Sequence, residues 1–123
     1  MHAPTLAMMV LCLGNTAYAD DDCVDTGRLG AMLGQIDQQC TRYSLTDDGR
    51  RVMIDLAAKA QPLGGEKCAE AGKIAMLQDL ASPKLTKLAA KGDQAAFTAG
   101  LCDAIADYLK LIENGRPLFK RGR

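Results

Sequence analysis

The chain has 123 residues, with 15 Lys and Arg against 15 Asp and Glu, an aromatic content of 4% and no Trp. That length fits one modest domain, and the balanced charge and scarce aromatic rings argue against nucleic acid and against carbohydrate gripped by indole faces. Five cysteines in so short a chain point to disulfides, provided the chain leaves the cytosol.

Residues 1–19 contain no Asp, Glu, Lys or Arg and carry an apolar run from Leu6 to Leu13, followed by Ala17-Tyr18-Ala19. The run is too short to span a bilayer. Small residues at 17 and 19, then Asp20-Asp21-Asp22, read as a secretory signal peptide cleaved before Asp20, although His2 stands where such leaders usually carry Lys or Arg. A lipid anchor is disfavoured, because Cys12 follows Leu11 and Cys23 follows Asp22 rather than a small residue. Cleavage would leave a periplasmic domain of residues 20–123 with no integral membrane segment. It would also remove Cys12 and the only histidine. The remaining Cys23, Cys40, Cys68 and Cys102 form no Cys-x-x-Cys pair and have no His beside them for a zinc site. Two disulfides are the expected use.

Helical periodicity dominates this domain and strand signals are almost absent. Leu29, Met32, Leu33, Ile36, Cys40 and Tyr43 recur at three- and four-residue steps, predicting a helix over 26–43. Ser44-Leu45-Thr46-Asp47 resembles a capping box opening a second helix, with Val52, Met53, Leu56, Ala57 and Ala60 inward and a stop at Pro62 before the Gly64-Gly65 turn. A third helix is expected over 66–81 on Cys68, Ala71, Ile74, Leu77 and Leu80. Ser82-Pro83 then starts a short helix over 84–90, which Gly92 ends, and Asp93 caps the next. The last helix, 94–113, carries Phe97, Leu101, Ile105, Leu109 and Ile112, and ends at Asn114-Gly115 before Pro117. The sum is an all-α fold, a compact antiparallel bundle of four to five helices pinned by two disulfides. In such a hairpin the start of the first helix lies beside the end of the second, which pairs Cys23 with Cys68 and leaves Cys40 for Cys102.

Chemistry is harder to place. Without histidine, and with Ser44 and Ser82 as the only serines of the domain, Ser-His-Asp and Cys-His arrangements are out of reach. Asp47/Asp48 and Asp103/Asp107 are carboxylate pairs, but the first suits a helix's opening turn and the second a solvated face. Met32, Met53 and Met76 read as core fillers rather than copper ligands. No enzymatic activity and no cofactor is expected. Gly27, Gly30 and Gly34 form a small-residue strip on the first helix, which serves either close helix approach or a groove for a partner.

What is left for a small, exported, cross-linked helical domain is binding another protein. The leading expectation is a periplasmic inhibitor of the immunity type, which occludes the cleft of a toxin or hydrolase that attacks the envelope. The alternatives are an acid- or stress-responsive holdase chaperone and an accessory subunit of an envelope complex. Pairing with a second copy is left open. The candidate contact residues are Arg116, Leu118 and Phe119 in the basic tail of residues 116–123, then the turn Leu63, Gly64, Gly65, Glu66 and Lys67.

Overall fold

The computed structural model describes residues 21–123; the leader and its cleavage point before Asp20 lie outside the described residues. Those residues form five helices and two short strands. In chain order they are α1 (Asp21–Gln39), β1 (Tyr43–Leu45), α2 (Asp47–Leu63), α3 (Glu66–Leu80), α4 (Pro83–Ala90), α5 (Gln94–Ile112) and β2 (Phe119–Arg121). No helix among them is long and apolar enough to cross a membrane.

α1 is the central element, packing against α2, α3, α5 and β1. Its Met32, Leu33 and Ile36 are sealed from solvent together with Leu45, Met76, Ile105 and Leu109. The small bundle expected from periodicity is therefore present, with both disulfides as expected: Cys23 joins Cys68 and Cys40 joins Cys102. α1 and α3 run side by side in the same direction. Cys23 meets Cys68 at the first turn of each, and one turn later Gly27 meets Gly72. A Cβ at Gly27 would overlap the Cys68 carbonyl, and one at Gly72 would overlap the Gly27 carbonyl carbon.

That close approach changes which face α3 buries. Cys68, Gly72 and Met76 point inward, whereas Ile74 and Leu77, expected in the core, are 57% and 38% exposed. The smallest residues face α1 because they let the two backbones touch, and the larger aliphatic chains are turned to solvent. Ile112 on α5 is likewise exposed, beyond the end of the apolar stripe.

Two further departures from the sequence reading, the end of α1 and the start of α2, share a cause at the far end of the chain. α1 stops at Gln39 instead of 43, because residues 43–45 form a strand that pairs antiparallel with β2, Tyr43 opposite Arg121 and Leu45 opposite Phe119. The Arg123 guanidinium then takes over the free carbonyls at the α1 C-terminus, donating to Ile36 O at 3.2 Å, Asp37 O at 2.9 Å and Cys40 O at 2.8 Å. Such carbonyls otherwise need water or a cap. α2 starts at Thr46, not Ser44. The Thr46 hydroxyl accepts from Gly49 N–H and donates to Pro117 O at 2.6 Å, while the Ser44 hydroxyl donates to Gly122 O. Pro62 does not stop α2; it sits in the last turn, one residue before the end. The caps read at Ser82 and Asp93 are in place, accepting from Leu85 N–H and Ala96 N–H.

Arg123→Ala should lower stability by about 1–2 kcal/mol, since charge-assisted hydrogen bonds to otherwise unmet carbonyls are removed. Urea unfolding would measure the loss, and amide exchange should quicken in the last turn of α1 before elsewhere.

Candidate functional site

Leu118 and Phe119, read from the sequence as partner contacts, are only 9% and 8% exposed and belong to the core. Their segment crosses directly over the start of α2. A Cβ at Gly49 would overlap the Leu118 carbonyl, Thr46 N–H donates to that carbonyl at 3.1 Å, and Leu118 N–H donates to the Glu113 carboxylate at 2.9 Å. Phe119 meets the Tyr43 ring edge to face, with centroids 5.6 Å apart. Two large apolar residues between cations therefore mark a strand that the fold consumes. Arg116 stays exposed, 4.0 Å from Asp48.

The other half of the expected contact set does sit at the surface. Gly64 and Gly65 take positive φ, 140° and 57°, which lets α2 reverse into α3 within two residues. Backbone hydrogen bonds brace the turn: Gly65 N–H donates to Ala60 O, Lys67 N–H to Gly64 O and Cys68 N–H to Gly65 O. The Cys23–Cys68 disulfide lies under it. Gly64, Glu66 and Lys67 are exposed above that base, with Leu63 and Gly65 half-buried.

Beside the turn opens an uncharged cleft of about 240 Å³. Thr26, Gly27, Gly30 and Ala31 of α1, Met53, Leu56, Ala57 and Ala60 of α2, and Ala69 of α3 line it. The glycine strip divides here. Gly27 is consumed by the contact with α3, whereas a Cβ at Gly30 or Gly34 would meet nothing within 4 Å. Gly30 thus leaves helix backbone open in the cleft, the arrangement that sequence periodicity left undecided. Turn and cleft adjoin, since Ala60 and Ala69 flank the reversal on either side.

A second constellation escaped the sequence reading. Asp103 of α5 accepts from Arg42 Nη2 at 2.9 Å on each oxygen and from the Tyr43 hydroxyl at 2.7 Å, next to the Cys40–Cys102 disulfide. Burial pushes the Asp103 carboxyl upward, but the Tyr43 hydroxyl and the Arg42 guanidinium outweigh it and hold the group below its ordinary 3.8. The same hydrogen bond, then burial and the Asp103 charge, raise Tyr43 above its ordinary 10.0. Only the separation of 61 residues between Arg42 and Asp103 hid this cluster.

A carboxylate held low stabilises the fold fully above its unfolded value, and the contribution is lost as pH falls through the folded one. Asp103→Asn should therefore be destabilising at pH 5–7, with the gap to the parent closing below about pH 3, as read from urea midpoints across pH. A gap that widened on acidification would contradict the assignment.

Among the described residues no group of three or more His, Cys, Asp or Glu is gathered to hold a metal ion. No protein-family model, no curated protein and no solved structure matches this chain.

Proposed function

We propose that the chain is an exported, non-catalytic binding protein that neutralises an envelope-acting toxin or hydrolase by occluding its cleft, an inhibitor of the immunity type. The observation that supports it is the turn Leu63–Lys67, braced by its own hydrogen bonds and by Cys23–Cys68, and continuous with an open cleft. A contact surface that is already rigid loses little entropy when a partner docks, so a small exposed turn can bind tightly. Cross-linking also suits the periplasm, where thiols are oxidised and proteases are present. The partner is another protein, met outside the cytosol after removal of the leader.

The test is stoichiometric inhibition. The secreted form should abolish one envelope hydrolase activity at a one-to-one ratio, and a Glu66→Lys, Lys67→Glu double variant should weaken that inhibition at least tenfold while melting like the parent. No inhibition at micromolar concentration would overturn the reading.

The Asp103 cluster favours a second reading, an acid-responsive holdase, because its protonation removes one tie between α5 and the segment before β1. A holdase would bind a hydrophobic dye and suppress client aggregation below pH 4. An unchanged, dye-silent bundle there would exclude it.

A further inference from the structure

The two-stranded sheet leaves backbone groups unmatched. Thr46 N–H donates to Leu118 O and Gly122 N–H to Arg42 O at 2.8 Å, and β1 and β2 pair in the same register between them. Antiparallel ladders alternate, so Ser44 and Lys120 exchange hydrogen bonds with each other, while the N–H and C=O groups of Phe119 and Arg121 point away from β1. β1 packs against α1 and α2, whereas β2 has β1 as its main neighbouring element. Its outer edge is therefore a free template for another strand.

A cleft of about 360 Å³ opens beside β2, lined by Tyr43, Phe119, Lys120 and Arg121 on the sheet side and by Asp107, Lys110 and Glu113 among the residues of α5 and its end. Three cations face two carboxylates there, and the Glu113 carboxylate is already engaged by Leu118 N–H. The Arg121 guanidinium sits 5.6 Å above the Tyr43 ring, at the mouth of the cleft.

We propose that the open edge of β2 is a docking site for an extended acidic segment of a partner protein. That segment adds a third strand through the Phe119 and Arg121 backbone, and its alternate carboxylates meet Lys110 and Arg121. A second copy does not suit this edge, because antiparallel pairing of β2 with β2 through the Phe119 and Arg121 backbone would set Lys120 opposite its own counterpart. This surface lies on different elements from the turn and cleft of α1, α2 and α3, and it stands or falls without them.

The probe is a capped peptide of alternating Glu and Val, added to the protein comprising residues 20–123 and followed by amide hydrogen exchange. In the free protein the Phe119 and Arg121 amides should exchange near the open-chain rate while Ser44 and Lys120 are protected. With peptide, the first two should slow at least tenfold. A peptide N-methylated at the strand-pairing positions, or one with Lys in place of Glu, should bind at least tenfold more weakly. Arg121→Pro removes one outward N–H at a position where an edge strand tolerates proline, and Lys110→Glu reverses one charge. Both should weaken binding at least tenfold with the near-ultraviolet dichroism of the parent. Protection of Phe119 and Arg121 in the free protein, binding indifferent to N-methylation, or protection confined to the α1–α2 cleft would overturn the proposal.

Discussion

Gly72→Val is expected to destabilise the domain by about 3 kcal/mol or more, at or above the upper end of what overpacking usually costs. The usual relief, rotation of a neighbouring side chain, is not on offer, because an added Cβ would run into the Gly27 carbonyl carbon and Arg28 N, which are backbone atoms. α1 and α3 would have to separate, yet Cys23–Cys68 ties them one turn away, with its Cα atoms 4.9 Å apart. Strain would then spread to Met32, Leu33 and Met76, which fill the next layer of core. Gly30→Ala is the matched control: it lies on the same helix as Gly27, its added carbon meets nothing, and replacing a mid-helix glycine should raise stability by about 0.5–1 kcal/mol. Urea midpoints of the two variants under oxidising conditions should move in opposite directions. Equal effects of the two substitutions would mean that α1 and α3 are not in backbone contact.

Those two glycines mark the limit of what periodicity reveals. Gly27 and Gly30 are three residues apart on one helical strip, and nothing local says that one touches a partner helix while the other faces an open cleft. Helix positions, the Ser82 and Asp93 caps and the Cys pairing were legible because each follows from nearby sequence or from hairpin geometry. The face that α3 buries was not, because Ile74 and Leu77 are the better hydrophobes and lose only through the glycine contact. Tyr43, Leu45, Leu118 and Phe119 failed for a further reason. A three-residue strand is too short to show a two-residue period, and its partner lies more than seventy residues away. The candidate contact set divided along the same line. The turn Leu63–Lys67, a local feature, was placed at the surface, whereas Leu118 and Phe119, whose fate depends on a distant strand, were not.

Replacing Cys40 and Cys102 by Ser is expected to cost about 4 kcal/mol, the chain-entropy value for a cross-link closing 62 residues, and to lower Tm by on the order of 20 °C. Against a total stability of about 5–15 kcal/mol, that leaves a marginal fold. The Cys23–Cys68 bridge closes 45 residues, so the entropic estimate is nearly the same for both. Their surroundings separate them. Beneath Cys23–Cys68 the glycine contact and the length of α1 against α3 persist after reduction, and the Gly64-Gly65 reversal still holds α2 to α3. Cys40–Cys102, by contrast, joins α5 to the segment after α1, a junction supported otherwise by the Asp103 cluster, modest α1–α5 packing and the two short strands. Its loss should therefore show first in α4 and α5, as faster amide exchange there while α1 and α3 stay protected. Loss of all four cysteines should leave the domain unfolded at 37 °C. A Cys40→Ser, Cys102→Ser variant melting within about 3 °C of the parent, less than 1 kcal/mol on the scale of a 100-residue domain, would show that core packing alone carries this fold.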